Sequence, residues 1–180
     1  MSRIGKKAIF IPQDVSVTFD EVNKEIVVKG KHGILKRFIS NQIDVFLEDK
    51  KIILSRQNDE KKSRELHGLN RALLQNMVKG VENKFSKTLI AEGVGYRFQV
   101  EKNLLNLSVG FTHPVQFEIP EDLSIKLESN TKIQLSGIDK EKVGFFAAKI
   151  RDMKPPEPYK GKGILYEGEK ILRKAGKTGK

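Results

Sequence analysis

The sequence contains an approximate internal repeat, and this repeat limits the possible folds more than any other feature. Lys51-Ile52-Ile53-Leu54-Ser55 is matched 81 residues later by Lys132-Ile133-Gln134-Leu135-Ser136. Leu47-Glu48 is matched by Leu127-Glu128, and the turn-like Gly30-Lys31-His32-Gly33 by Gly110-Phe111-Thr112-His113-Pro114. Because several matches in the same order rarely arise by chance, the chain is predicted to fold as two copies of one domain.

Each copy combines short strand-like segments with one longer helical segment. In the first copy, apolar and polar residues alternate as in half-buried strands at 14–19, 25–29, 34–39, 43–48 and 51–55. From about Asp59 to Lys79 the apolar spacing becomes three or four residues, which predicts a helix that ends at Gly80. Its predicted core face consists of Leu66, Leu69, Leu73 and Met77.

The second copy has a matching helix, predicted from about Asp139 to Met153, with Asp139 as its N-cap. Its predicted core face consists of Val143, Phe146, Ala147 and Ile150. The whole order predicts an α+β protein with two tandem duplicated domains, each an antiparallel sheet packed with one main helix, and a basic C-terminal tail. The predicted ranges are residues 1–82, which include a basic N-terminal arm, residues 83–153, and the tail at 154–180.

The positive charge is concentrated at the two ends of the chain. Of the net charge of +11, residues 1–7 carry +3 and residues 149–180 carry +6, which leaves +2 for the 141 residues between them. Residues 85–148 carry −1. Terminal extensions that pair with phosphates concentrate positive charge in this way, so a polyanionic partner is predicted.

Several classes of function are disfavoured by the sequence. No run of about 18 apolar residues is present, and the N-terminus lacks the apolar region of a secretory signal, so no membrane association is expected. The chain has no cysteine, and its three histidines, His32, His67 and His113, lack metal-site spacing and are interpreted as turn and surface residues. Because no nucleophile is paired with a base, we expect neither enzymatic activity nor a cofactor.

The segment Pro155–Ile164 is the strongest candidate binding element. Three prolines stiffen it, two glycines allow close approach to a partner, and Tyr159, Lys160 and Lys162 are presented between them. A segment this rich in Pro, Gly and Lys is expected to become ordered only through its partner. Lysines can neutralise phosphates and tyrosine can stack on a base, and RNA is favoured over DNA because no helix-turn-helix or zinc-finger pattern occurs.

Two other candidate regions have two interpretations each. Gly93-Val94-Gly95-Tyr96-Arg97 is interpreted either as a tight bend or bulge in a strand, or as a close approach to a sugar-phosphate backbone by Tyr96 and Arg97. The basic residues of the first helix form either a solvated surface, which the interleaved acidic residues favour, or a face that contacts phosphates. These residues are Lys61, Lys62, Arg64, Arg71 and Lys79.

The segment Pro156-Glu157-Pro158-Tyr159-Lys160-Gly161-Lys162-Gly163-Ile164 closely resembles the signature of the large-subunit ribosomal protein L6 family in its bacterial and organellar form. The opening Met1-Ser2-Arg3-Ile4-Gly5-Lys6, the following Ile11-Pro12, the segment at 93–97 and His113-Pro114-Val115 are also similar to that family. The resemblance covers essentially the whole chain.

This resemblance implies a structural constituent of the large ribosomal subunit that binds large-subunit rRNA near the sarcin-ricin loop and the stalk base. The implied partners are neighbouring ribosomal proteins and translational GTPases, and the implied location is the ribosome, in a bacterial cytoplasm or a plastid stroma. The implied RNA contacts are Tyr159, Lys160, Gly161, Lys162 and Gly163, with Arg173, Lys174 and Lys177 in the tail, then Tyr96 and Arg97, and Arg3, Lys6 and Lys7. A free RNA-binding or ribosome-assembly module is the alternative, because it would have the same basic ends.

Overall fold

The structure, a computed structural model, describes residues 4–177. Within these residues the chain forms two compact units, unit 1 (Met1–Lys84) and unit 2 (Phe85–Lys180). The division lies between Lys84 and Phe85, whereas the sequence analysis placed it after Glu82. No helix among the described residues is both long enough and apolar enough to cross a membrane.

Unit 1 consists of two antiparallel three-stranded sheets and one helix. Its elements are β1 (Ile9–Phe10), β2 (Ser16–Asp20), β3 (Glu25–Gly30), β4 (Gly33–Phe38), β5 (Ile43–Glu48), β6 (Lys51–Arg56) and α1 (Lys61–Glu82). The sheets have the orders β1-β6-β5 and β2-β3-β4. The alternating strands bury one face, so that Ile26, Val28, Ile52 and Leu54 join one apolar core with α1.

The buried face of α1 differs from the predicted one. Leu69 is 53% exposed, whereas His67 and Asn70 are buried. These two polar side chains are tolerated in the core because His67 Nε2 bonds to the Leu54 carbonyl at 3.0 Å and Asn70 Nδ2 donates to the Leu66 carbonyl at 2.9 Å. The helix also continues past Gly80 to Glu82, so the predicted end at Gly80 was wrong.

Unit 2 repeats this arrangement and adds one strand. Its elements are β7 (Phe85–Glu92), β8 (Arg97–Glu101), β9 (Leu104–Ser108), β10 (Val115–Glu118), β11 (Leu123–Ser129), β12 (Lys132–Gly137), α2 (Lys140–Met153) and β13 (Gly163–Tyr166). The sheets have the orders β10-β9-β8 and β11-β12-β7-β13. Asp139 caps α2 as predicted, since its side chain accepts a hydrogen bond from the Glu141 N–H at 2.8 Å.

The duplication extends to the pairing register of the strands. Ile9 pairs with Ile52 in unit 1, and Leu89 pairs with Ile133 in unit 2, at positions 80 and 81 residues later. The predicted α+β class and the duplication are therefore confirmed, and each unit contains two sheets where one was predicted.

The strand β13 has no counterpart in unit 1 and was not predicted. It lies inside the range assigned to the tail, and its Ile164 and Leu165 are buried at 0% and 6% exposure. The expectation that this segment becomes ordered only through a partner was therefore wrong for residues 163–166, because a four-residue apolar strand can complete the edge of an existing sheet.

Candidate nucleic-acid interface

The candidate binding element is a closed loop between α2 and β13, which we call the signature loop (residues 155–163). The Ile164 N–H donates to the Lys154 carbonyl at 2.8 Å, which joins the two ends of the loop. Inside it, the Glu157 N–H donates to the Lys162 carbonyl at 2.9 Å, and the Glu157 carbonyl accepts from the Gly161 N–H at 3.0 Å. Tyr159 and Lys160 consequently lie at the tip of a backbone that is hydrogen-bonded to itself, and both are exposed.

The two glycines of the loop have separate structural roles. Gly161 has a φ of 73°, in the left-handed region that side chains disfavour. At Gly163 a Cβ atom would lie 2.6 Å from Pro156 Cα and 2.7 Å from the Pro155 carbonyl oxygen. The predicted use of these glycines for close approach thus has a local counterpart, since the loop approaches its own proline segment at Gly163.

The chain after β13 returns to the signature loop. The Lys174 N–H donates to the Pro158 carbonyl at 2.8 Å. The Arg173 guanidinium lies beside Gly161, where a Cβ atom would be 3.0 Å from one of its terminal nitrogens. The structure therefore brings Arg173 and Lys174 to the loop that presents Tyr159, Lys160 and Lys162, while Lys177 is exposed three residues further along the chain.

The acidic residues that follow β13 form ion pairs with the body of unit 2. Glu169 accepts two hydrogen bonds from Arg151 of α2, at 2.6 and 3.2 Å, and these hold the pKa of its carboxyl below the ordinary range. Glu167 lies 2.8 Å from Lys132, which also pairs with Glu128, and these two carboxylates raise the pKa of Lys132 to about 12. Both negative charges are thereby compensated outside the loop.

The positive side chains of the same segment have no such compensation. We use the name basic surface for the exposed residues Tyr159, Lys160, Lys162, Lys170, Arg173, Lys174 and Lys177. Within residues 4–177, none of its six cations forms an ion pair with a carboxylate. A polyanion would therefore meet positive charges that do not first have to be separated from acidic partners. Lys170 was not singled out by the sequence analysis, because it belongs to no motif.

Tyr96 and Arg97 lie in unit 2 at a turn that leads into β8. The Tyr96 N–H donates to the Gly93 carbonyl at 3.3 Å, and Gly95 has a φ of 76°. The Tyr96 ring packs against the core and so closely to Gly93 that a Cβ atom there would lie 2.7 Å from it. The bend interpretation therefore accounts for this segment, and contact of Tyr96 and the exposed Arg97 with RNA stays a prediction.

The predicted basic residues of the N-terminus belong to unit 1. Arg3 lies outside the described residues. Lys6 and Lys7 are exposed just before β1. The Lys7 carbonyl accepts a hydrogen bond from Arg71 Nε at 3.1 Å, which ties this arm to α1.

The histidines do not form a metal site in the part of the chain that is described, where no three His, Cys, Asp or Glu residues are grouped suitably. His67, which we expected at the surface, is buried and bridges β6 and α1. Its Nδ1 lies 3.2 Å from an Arg56 guanidinium nitrogen, while its Nε2 bonds to the Leu54 carbonyl. Because arginine can only donate, Nδ1 accepts and Nε2 carries the proton, so both ring nitrogens are used structurally.

Comparison with known proteins assigns the chain to a family. The family model described as ribosomal protein L6 matches twice, at residues 11–84 and 92–167, in agreement with the duplicated fold. The protein called large ribosomal subunit protein uL6 from Dictyoglomus thermophilum is 53% identical over 180 residues, covering 100% of this chain and 99% of the relative. Proteins of the same name from Prochlorococcus marinus and Clostridium botulinum are 52% and 50% identical with the same coverage. The chain therefore belongs to the ribosomal protein L6 family.

Proposed function

We propose that this protein is a structural, non-enzymatic component of the large ribosomal subunit and that it binds large-subunit rRNA through the basic surface. The observation that carries the proposal is the joining of the signature loop to the C-terminal segment. Six exposed cations without carboxylate partners are thereby displayed on one hydrogen-bonded piece of backbone. The name shared by the relatives supports the ribosomal part of the proposal.

The physical basis of binding is the neutralisation of closely spaced phosphates. Each lysine or arginine that contacts a phosphate releases condensed counterions, which favours association at low salt. The loop is already closed by backbone hydrogen bonds, so that less conformational entropy is lost on docking than for a disordered tail. Tyr159, 54% exposed at the tip, is available to stack on a base or to pack against a ribose.

The finer location follows from the family resemblance. We propose contact near the sarcin-ricin loop and the stalk base, with neighbouring ribosomal proteins beside it and translational GTPases acting close by. Tyr96 and Arg97 are proposed as a second tier of RNA contacts, and Arg3, Lys6 and Lys7 as phosphate contacts from the N-terminal arm.

The double substitution Lys160→Ala/Lys162→Ala tests the basic surface directly. In a filter-binding titration against large-subunit rRNA fragments, it should weaken binding and reduce the slope of log K against log salt by about 1.4–1.8 units, at about 0.7–0.9 per lost phosphate contact. The matched control is Lys61→Ala/Lys62→Ala, which removes two exposed lysines from the first turn of α1. An unchanged slope for the first variant, or an equal loss for the control, would contradict the assignment.

Sedimentation distinguishes a ribosomal component from a free RNA-binding or assembly module. A structural component should comigrate with large subunits through a sucrose gradient at high salt, whereas a free module should remain near the top. Recovery of the protein only in the light fractions would refute the structural role.

A further inference from the structure

The internal repeat leaves one strand position of unit 1 without an occupant. In unit 2, β13 pairs with β7, with Leu165 opposite Ile90 and Tyr166 opposite Leu89. By register, β1 is the equivalent of β7, because both pair with the matched strands β6 and β12. Among residues 4–177, no strand pairs with the other edge of β1.

A groove lies at this open edge. It has a volume of about 550 Å³ and runs between β1 and the C-terminal half of α1. Its lining residues include Ala8, Phe10, Gln75 and Val78. In unit 2, β13 lies in the equivalent place, paired with β7 and in contact with α2. The groove thus has the position of a β13-like strand.

The backbone of β1 is oriented to accept such a strand. The Ile11 N–H donates to the Lys50 carbonyl at 2.9 Å, and the Ala91 N–H donates to the Thr131 carbonyl at 2.8 Å at the equivalent position. Because successive residues of a strand point their backbone groups to opposite sides, those of Ala8 and Phe10 face the groove. In unit 2 the residue equivalent to Ala8 is Thr88, whose carbonyl accepts from the Glu167 N–H at 3.0 Å.

The charges around the groove indicate the chemistry of its partner. Lys7, Arg71 and Lys79 line it, against the single acid Glu82. In unit 2, Glu169 follows β13 by three residues and pairs with Arg151 of the neighbouring helix. An acidic residue just beyond a docked strand would meet positive charge from α1 in the same manner.

We propose that this groove binds an extended segment of a partner protein, which adds to β1 as an antiparallel strand. The segment has a small residue, two aliphatic residues and an aromatic one in succession, followed within about three residues by an acid. This chemistry is that of residues 163–169, which occupy the equivalent position in unit 2. Backbone hydrogen bonds supply affinity, and the apolar and acidic side chains supply specificity.

The probe is a synthetic peptide with the sequence of residues 163–169, added to the ¹⁵N-labelled full chain. We expect amide shifts at Ala8, Phe10 and Val78 that saturate with peptide concentration. An N-methyl group at the third peptide position should abolish binding, since the equivalent Leu165 faces the receiving strand. An N-methyl group at the second position should be tolerated, because the equivalent Ile164 N–H points away, to the Lys154 carbonyl.

Substitution of the receiving unit gives an independent measurement. Arg71→Gln should weaken binding of the peptide about two- to fivefold, as expected for loss of one exposed ion pair, while Arg64→Gln on the exposed part of α1 should not. Thermal unfolding of both variants verifies that they are folded.

Four results would overturn the proposal. These are an absence of shifts at millimolar peptide, equal effects of the two N-methyl groups, shifts at Thr88 and Ile90 that indicate displacement of β13, and shifts at Ala8 and Phe10 on concentrating the protein alone. The last result would assign the groove to a second copy of the chain.

Discussion

Replacing Gly163 by alanine should destabilise unit 2 far more than a surface glycine substitution normally does. The added Cβ would lie 2.6 Å from Pro156 Cα and 2.7 Å from the Pro155 carbonyl oxygen, both of which are backbone atoms that cannot rotate away. The φ of 148° is also a conformation that residues with side chains rarely adopt. The signature loop and β13 would therefore have to separate at this point.

The size of the effect follows from the contacts that separation would break. The unfavourable backbone conformation costs about 1–3 kcal/mol. Loss of the hydrogen bond from Ile164 to Lys154 costs about 1 kcal/mol, and partial exposure of the Ile164 side chain, which is 0% exposed, costs about 1 kcal/mol more. The free energy of unfolding should fall by about 3–5 kcal/mol.

The chain provides a selective assay for this prediction. It has no tryptophan, and its three tyrosines, Tyr96, Tyr159 and Tyr166, all lie in unit 2. Tyrosine fluorescence during urea unfolding therefore reports on the unit that carries the substitution, and Tyr166 lies in β13 itself. The midpoint should move to lower urea concentration.

The matched control is Gly168→Ala. Gly168 also has a positive φ, at 79°, but no atom lies within 4 Å of the position that its Cβ would take. This substitution should cost only about 1–2 kcal/mol, from the backbone conformation alone. Equal losses for the two variants would refute the argument that the backbone collision at Gly163 dominates.

Two further predictions concern other parts of the chain. The pKa of Glu169 is lowered by Arg151, so this pair contributes stability above the ordinary carboxyl pKa and loses it as the pH falls through the lowered value; Glu169→Gln should therefore flatten the acid-induced fall in tyrosine-monitored stability between about pH 4.5 and pH 3, and an unchanged pH profile would contradict this. In unit 1, His67→Phe removes the buried partner of the Leu54 carbonyl and of Arg56, and should lower stability by about 1–3 kcal/mol in unfolding followed by far-UV circular dichroism, with a change below about 0.5 kcal/mol counting against it.

The elements that could be predicted from the sequence are those whose signal is local. The helix α2 has an Asp cap and an apolar face of ordinary spacing, and both were identified correctly. The face of α1 was misplaced because His67 and Asn70 occupy buried positions, and only tertiary hydrogen bonds make this possible. Leucine spacing alone therefore pointed to Leu69, which is exposed.

The candidate site was predictable in its composition and not in its geometry. Prolines, glycines and lysines marked residues 155–163 as a binding element. The strand that follows was missed because its four residues pair with β7, more than 70 residues earlier in the chain, and such long-range pairing leaves little local trace. The approach of Arg173 to Gly161 was likewise invisible, since it depends on how the chain returns after β13.

The hydrogen bond between Ile164 and Lys154 makes the signature loop a reporter of the folded state of its own domain. A ligand that recognises only the closed loop stabilises unit 2 by mass action, by about 2.7 kcal/mol when its concentration is a hundred times the Kd. The same linkage acts in reverse, because a population that unfolds loses the recognised shape together with the core. A substitution deep in that core, far from any phosphate, can thus appear in a genetic screen as a defect in ribosome assembly.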